Sequence, residues 1–380
     1  MQYRELGKTA EKVSTLGMGC LRLPKTINNG TACVDKELTE SLIARAYEKG
    51  INYFDCAPGY CDGACEQIVG DAVKHFRKNI MLASKIPLQE VKNAEDYRRW
   101  LEESLKRMQT DYLDNYLFWG INLDMFEKII IPLHLLEEGR TAKEEGLIRR
   151  MSVSVHDTPD NIICLLKRAE SYGIGFDSVL CQYNLLDRKN EEVLTFAKER
   201  GIGTMVMGPV AGGRLAWPSE LGKKLGENSQ VPTSELALRY VLENENVDCT
   251  LSGMSSLTMV DENAELADKI GNVSQGFEER IVKAVEKLEK LSQLYCTGCG
   301  YCQPCPAQIK IDKILYLINC DRIYGMHTYA RQEFGKYCKN YGVPAETCVN
   351  CGQCEKRCPQ SLNIRQELKA ACEILQEKIE

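Results

Sequence analysis

Eight cysteines in the last quarter of the chain constrain it more than any other feature. They fall in two runs, Cys296-x2-Cys299-x2-Cys302-x2-Cys305-Pro306 and Cys348-x2-Cys351-x2-Cys354-x3-Cys358-Pro359. The second run has the bacterial spacing in which three thiolates hold one [4Fe–4S] cube and the fourth, ahead of proline, ligates the other cluster. On that rule Cys296, Cys299, Cys302 and Cys358 hold one cluster, and Cys348, Cys351, Cys354 and Cys305 hold the other. The first run is one residue shorter before its last cysteine, which makes Cys305 the least firmly assigned of the set.

Paired CxxC motifs also make zinc sites, but three cysteines at successive x2 spacing, with a fourth before proline, suit a cube better. Closely spaced triplets are poor geometry for disulfides, and the N-terminus, Met1-Gln2-Tyr3-Arg4-Glu5, lacks an apolar signal core. Nineteen cysteines without an export signal point to a reducing cytoplasm. The net charge of −6 gives no reason to expect nucleic acid or an anionic membrane as a partner, and no apolar run approaches a membrane span.

Upstream of the cysteines the chain alternates short β-rich runs with amphipathic stretches. The apolar runs are Ser14–Leu23, Ile51–Ala57, Ile80–Ile86, Tyr112–Trp119, Ile148–Val155, Asp177–Tyr183, Ile202–Met207 and Val247–Ser252, each ending near Gly, Pro, Asn or Asp. Between them lie helical patterns: Leu38, Leu42, Ala46 and Tyr47 share one face, as do Leu101, Leu105 and Met108. Eight strands, each followed by a helix, predict a (β/α)8 TIM barrel; a doubly wound sheet fits the count and length less well. The expected domains are a barrel over 1–275, a connecting helix over 276–295 and a small, mostly helical two-cluster module over 296–380. The connecting helix shows its apolar face in Phe277, Ile281, Val285, Leu288, Leu291 and Tyr295. In the module, Ile311, Ile314, Leu315 and Ile318 predict a short helix, and Ile364, Leu368, Ala371 and Leu375 a terminal one.

Barrel chemistry sits on loops at the C-terminal ends of strands. The second strand ends Asn52-Tyr53-Phe54-Asp55-Cys56-Ala57-Pro58-Gly59-Tyr60, and the third ends Ala83-Ser84-Lys85. An acid, a phenol and an ammonium thus arrive at one mouth. A free tyrosine, with a pKa near ~10, is a poor acid at neutral pH. A nearby ammonium favours the phenolate, and an aspartate can pin the ammonium, which would make a proton donor for a carbonyl becoming an alkoxide. The same residues would also suit a satisfied ion pair beside a core tyrosine.

The chain resembles the aldo-keto reductases, in particular the branch with a C-terminal ferredoxin-like 4Fe–4S domain. The resemblance rests on Tyr3-Arg4-Glu5-Leu6-Gly7-Lys8-Thr9, Leu16-Gly17-Met18-Gly19, Asn52–Tyr60 with Gly63 and Glu66, Gly146-Leu147-Ile148-Arg149, Gln182-Tyr183-Asn184 and Leu251-Ser252-Gly253-Met254-Ser255. It implies a nicotinamide cofactor, NAD(H) or NADP(H), that gives hydride to a carbonyl or related unsaturated small molecule, with Tyr60, Lys85 and Asp55 as the acid and its tuning pair. It also implies Ser154 and Gln182 near the nicotinamide amide, Gly253 and Ser255 near the phosphates, and Glu262 and Asn263 near the adenine, with Arg214 reaching the pyrophosphate. Two departures stand out. Where the family has a histidine at the end of strand four, this chain reads Tyr116-Leu117-Phe118-Trp119, and indole donates one hydrogen bond but accepts none; His156, after strand five, is a partial substitute. From Gly253 to Asp268 there is no Lys or Arg, while Asp261, Glu262 and Asp268 would repel a 2′-phosphate, which makes NADH at least as suitable as NADPH.

Cys20, Cys56, Cys61 and Cys65 fall near the first two mouth loops at spacings that match no known metal pattern, and buried cysteines are common. The remaining question is electron arithmetic. Hydride carries two electrons, while a cube passes one. A bound flavin would reconcile them, although no sequence feature demands it. The leading expectation is a cytoplasmic oxidoreductase acting on a small-molecule substrate. One alternative is an electron-transfer reductase whose clusters, loaded by a ferredoxin- or flavodoxin-like carrier, feed a substrate or flavin without a nicotinamide. Another is a catalytically altered barrel with a docking or structural cluster domain.

Overall fold

The computed structural model describes residues 1–28, 31–185, 187–216, 232–271, 296, 301–322, 327–358 and 360–376. It divides into two compact units, Met1–Pro209 with Leu238–Val273, and Val210–Ala237 with Ser274–Glu380. Among the described residues no helix is long and apolar enough to cross a membrane.

The first unit opens with an antiparallel hairpin, β1 (Tyr3–Glu5) and β2 (Lys12–Ser14). The barrel follows as β3 (Leu16–Gly19), β6 (Tyr53–Asp55), β7 (Met81–Ile86), β8 (Asn115–Ile121), β9 (Met151–Val155), β10 (Ser178–Gln182), β11 (Gly203–Met207) and β12 (Cys249–Ser252). Every neighbouring pair is parallel, and β12 pairs with β3 to close the ring. All eight expected strands are present. Sequence pattern did not separate the first apolar run into its parts: Ser14 ends the hairpin, only Leu16–Gly19 is barrel strand, and Cys20–Arg22 forms a 3-10 turn. A second hairpin, β4 (Lys25–Asn28) with β5 (Thr31–Val34), rises from the loop after β3.

Alternation along the strands fills the barrel. Tyr53, Met81, Ala83, Leu117, Leu180, Met205, Cys249 and Leu251 form one buried apolar cluster, joined by Leu6 and Val13 of the opening hairpin. Gly7 lets the hairpin approach: it has φ +58°, and a Cβ there would lie 2.5 Å from Gly203 N. The helices form where the periodicity predicts. In Lys36–Glu48, Leu42 and Ala46 are buried while Leu38 and Tyr47 are half-buried; in Glu95–Met108, Leu101, Leu105 and Met108 are all buried.

In the second unit, helices Ile311–Arg322, His327–Tyr341 and Ile364–Leu375 enclose a separate core of Ile314, Ile318, Phe334, Leu368, Ala371 and Leu375. Both helices expected around the cysteine runs are present with their apolar faces inward. The expected connecting helix over 276–295 lies outside the described residues.

Candidate active site and cluster centre

Inward positions recur every second residue along a strand. Two residues beyond the core positions Tyr53, Ala83, Leu117 and Leu180 come Asp55, Lys85, Trp119 and Gln182. The strand period therefore carries Asp55, Lys85 and Gln182 to the mouth, while Tyr60 comes from the segment Tyr60–Gly63 after β6.

Lys85 Nζ donates to Asp55 Oδ2 and to the Cys56 carbonyl, both at 2.7 Å. Lys85 is 1% exposed and Asp55 3%. Burial holds the Asp55 carboxyl above the usual carboxylate range, against the opposing pull of the Lys85 ammonium and of a hydrogen bond from Tyr60. Tyr60 is half-buried in the 3-10 segment Tyr60–Gly63, with Lys85 Nζ 4.5 Å from its ring centroid. The acid, ammonium and phenol thus form one contiguous group with a solvent-reachable phenol.

Trp119 belongs to the same group. Its ring meets Tyr60 edge to face, with centroids 5.6 Å apart and planes at 84°. The register of β8 against β9 shifts between Phe118 and Ile121, and Gly120 there has φ +62°, a bulge of the kind that re-aims side chains. On the other side, a Cβ at Gly59 would lie 2.9 Å from Trp119 Cη2. The indole is accommodated because residue 59 has no side chain. His156 follows β9, and burial lowers its pKa to about 4, with the Lys189 charge adding to the effect.

Ser154 and Gln182 lie on the adjacent strands β9 and β10, with Ser154 opposite Leu180 and both residues buried. Gln182 Nε2 donates to Asp187 Oδ2 at 2.7 Å. Gly253 and Ser255 are exposed after β12; Asn263 Nδ2 donates to Ser252 Oγ at 3.2 Å, and Glu262 points to solvent from helix Leu257–Asp268. Arg214 falls in the turn Ala211–Ala216, but its side chain lies outside the described residues.

The acidic character expected of this loop is largely compensated. Asp261 pairs with Arg45 at 2.8 Å and Lys49 at 3.1 Å, which hold its carboxyl below the usual range, and Asp268 pairs with the Met1 ammonium. A Cβ at Gly253 would lie 3.9 Å from Arg22 Cβ, so the 3-10 turn after β3 brings a guanidinium-bearing residue alongside. Reading the segment after β12 by itself missed these cations because other elements supply them. Glu66 has a structural place: buried in helix Cys65–Val73, it accepts from Ser84 and Arg107.

In the second unit, Cys305, Cys348, Cys351 and Cys354 line one cavity, together with Cys302, Pro304, Pro306, Ile309, Gly352 and Arg365. That foursome is the set expected for one cube, with Cys305 drawn from the other run. Glycine at position 352 adopts φ +69° and starts a short turn that carries Cys354. Arg365 is held beside the cavity by Glu355, Nε to Oε2 at 2.9 Å. Of the other foursome, Cys302 is buried, Cys296 and Cys358 pack against the same core, and Cys299 lies outside the described residues. The donor set and its apolar surroundings fit an iron–sulfur cluster.

Residues 15–284 match the family model described as "Aldo/keto reductase family". The chain belongs to the aldo/keto reductase family. Residues 295–363 match a second model, "4Fe-4S dicluster domain", so this family member is an oxidoreductase barrel followed in the sequence by an iron–sulfur domain. It is 29% identical over 300 residues to an uncharacterised oxidoreductase of Bacillus subtilis, covering 70% of this chain and 92% of that one. The NADH-specific methylglyoxal reductase of Escherichia coli is 30% identical over 238 residues, 57% of this chain and 69% of its own. A solved aldo-keto reductase of Bacillus halodurans, in its holo form, aligns with a TM-score of 0.62 at 28% identity, over 75% of this chain and 96% of that one.

Proposed function

We propose that this protein reduces a carbonyl or related unsaturated small molecule at the barrel mouth, using a nicotinamide. The observation that carries the reading is the buried Lys85–Asp55 pair set against the half-buried Tyr60. Asp55 fixes Lys85 and cannot leave, since both are sealed from water. The Lys85 charge lies close enough to the Tyr60 ring to favour the phenolate, so Tyr60 can give up a proton that an ordinary phenol would keep. The substrate oxygen would receive that proton as it becomes an alkoxide. A nicotinamide bound along Ser154, Gln182, Gly253 and Ser255, with Glu262, Asn263 and Arg214 towards its far end, would supply the hydride. Trp119 would wall the substrate on one side and offer it a single N–H. The NADH-specific relative supports NADH as the cofactor.

The proposed arrangement is a barrel over 1–275, a linking helix over 276–295 and a module over 296–380. The module would hold two [4Fe–4S] clusters with crossed ligation: Cys296, Cys299, Cys302 and Cys358 for one, and Cys305, Cys348, Cys351 and Cys354 for the other. The cysteine-lined cavity that mixes the two runs supports the second set. Such clusters would pass single electrons to or from a ferredoxin- or flavodoxin-like carrier in the cytoplasm, and a flavin at the mouth would be the converter between them and hydride.

Anaerobic mixing with NADH tests this. The proposal expects NADH oxidation that depends on an added aldehyde or dicarbonyl and falls at least ~100-fold in Tyr60→Phe, with NADH affinity preserved. Turnover driven by a reduced ferredoxin alone, and unchanged in Tyr60→Phe, would replace it with the cluster-fed reading.

A further inference from the structure

A cavity of about 460 Å³ opens at the end of the barrel opposite the proposed chemistry. Its lining comes from the segments that lead into β9, β10 and β11 and from the loop of the opening hairpin. Asp55, Lys85, Trp119 and Gln182 stand towards the other ends of their strands, so the two sites share no residue. Five cations line the cavity, Lys8, Lys143, Arg149, Arg150 and Arg200, against three carboxylates, Glu11, Glu170 and Asp177. Asp114 lies 3.3 Å from Arg149 but is also held by Arg77 at 2.7 Å, and these two further charges cancel. The excess is two positive charges.

The carboxylates do not use these cations up. Arg150 is 2% exposed; its Nη1 donates to the Asp114 carbonyl at 3.2 Å and its Nη2 pairs with Glu11. Its Nε has no hydrogen-bond partner, a costly state for a buried donor. Lys143 Nζ donates to both Asp177 oxygens, at 2.8 and 2.7 Å. Arg200 is nearly uncommitted: its Nε is 3.7 Å from Glu170 Oε2, beyond hydrogen-bond reach, and its guanidinium lies 4.0 Å from the Phe196 ring centroid. Lys8 Nζ has no ion pair or hydrogen bond among the described residues. Its stem is nevertheless fixed, because it crosses Gly201, where a Cβ would collide with it, and Lys8 N donates to the Gly201 carbonyl at 2.9 Å. A network serving only to tie the base of the barrel together would not need an ammonium held in place without a partner.

We propose that this cavity binds the phosphate group of a small phosphorylated molecule, at a site separate from the mouth. A phosphate monoester carries close to two negative charges at neutral pH, which matches the excess. The Arg200 fork can take two phosphate oxygens at once, and the Lys8 ammonium adds a point charge beside them. Glu11 and Asp177 hold Arg150 and Lys143 in position, so little side-chain freedom remains to be lost on binding. The volume lies within the range of small-molecule pockets, about 300–1,000 Å³, and leaves room for an organic group against Phe176 and Ile202. Such a ligand links the hairpin loop, through Lys8, to the approach to β11, through Arg200. Leu6 and Val13 of that hairpin belong to the barrel core, so binding favours the folded barrel and leaves the groups at the mouth untouched.

The test is amide hydrogen exchange on the complete, anaerobically purified protein, titrated with ribose 5-phosphate, with ribose and with sodium chloride at matched ionic strength. Ribose 5-phosphate should slow exchange in the hairpin loop and in the segments ahead of β9, β10 and β11, saturating below about 10 mM, while ribose and chloride should not. The double variant Lys8→Ala, Arg200→Ala should bind at least ~10-fold more weakly with an unchanged exchange pattern in the absence of ligand. Neither arm depends on carbonyl turnover, so the site stands or falls apart from the proposed reduction. The proposal is overturned by no saturable protection at that concentration, or by protection confined to the loops at the mouth. Equal protection by ribose or by chloride, or undiminished binding by the double variant, also overturns it. Should the double variant fail to fold, the wild-type exchange map decides alone.

Discussion

Replacing Lys85 by methionine tests the centre of the site through stability as well as turnover. The side chain is 1% exposed and its ammonium is shared between Asp55 and the Cys56 carbonyl. Methionine keeps most of the volume, so the loss is electrostatic rather than a cavity. Breaking a buried ion pair by removing one partner costs about 3–5 kcal/mol, and the carbonyl's lost hydrogen bond adds about 1 kcal/mol. Asp55 can escape part of this by taking up a proton. Its pKa is already raised by burial, and the variant removes the largest influence that opposes the rise. A carboxyl whose folded pKa lies above its unfolded value of about 3.9 contributes stability that is present at low pH and is lost as pH rises through the folded pKa. Lys85→Met should therefore lose about 4 kcal/mol at pH ~7 and recover much of it near pH ~5. Asp55→Asn in the Lys85→Met background should recover most of the loss at pH ~7, because no buried charge is left unpaired. Urea midpoints followed by far-ultraviolet circular dichroism at both pH values, with cluster absorbance recorded alongside, make the comparison. A loss under about 1 kcal/mol, or one that does not change with pH, would mean that Asp55 is not held as an ion and would remove the basis for a tuned Tyr60.

Other expectations are more direct. Anaerobic protein should contain about eight iron and eight sulfide per chain, and Cys358→Ser should change the electron paramagnetic signature of one cluster while sparing the other; zinc as the main metal would end the two-cluster assignment. NADH should bind at least as tightly as NADPH by fluorescence titration, and NADPH tighter by more than about tenfold, or ~1.4 kcal/mol, would show that Arg22, Arg45 or Lys49 serves the 2′-phosphate. Gly59→Ala should weaken the fold by about 1–3 kcal/mol through collision with Trp119, and Trp119→Leu in the same chain should relieve most of it. Trp119→His should gain turnover on simple aldehydes if the indole sets substrate choice; an unchanged aldehyde rate in a folded protein would make Trp119 a packing residue.

The barrel was legible because its information is periodic. Strands fully covered on both faces read as short apolar runs, and the inward step of two residues carries Asp55, Lys85 and Gln182 to the mouth once the strands are placed. Thiolate spacing was equally legible, since a cube accepts few local geometries. What sequence order concealed was everything made by elements distant in the chain. The acidity of the helix after β12 gave no sign of Arg45 and Lys49, which another part of the chain brings to Asp261. The contact between Gly59 and Trp119 spans sixty positions and gives no local signal beyond a glycine after a proline. The four mouth thiols matched no linear pattern because Cys20 follows β3 while Cys56, Cys61 and Cys65 follow β6.

The departure at Trp119 has a consequence for the chemistry proposed here. A histidine beside the tyrosine could accept or donate a proton and hold the substrate oxygen from a second side. Indole can only donate, and this one meets the Tyr60 ring edge to face. His156 does not restore a second acid, since a group with a pKa near 4 stays uncharged at neutral pH. The whole task of neutralising a developing alkoxide then falls on Tyr60 and on the Lys85 charge behind it. A site with one acid and one flat apolar wall suits a substrate that is already electron-poor, such as a dicarbonyl or a conjugated carbonyl, because adjacent withdrawing groups lower the barrier that a second donor would otherwise lower. Such a substrate can also stack on the indole as an unactivated alkyl aldehyde cannot. On this reasoning, turnover across a series of substituted benzaldehydes should rise with electron withdrawal more steeply in the native protein than in Trp119→His. Equal slopes would mean that the missing histidine has been replaced in function by a group other than those named here.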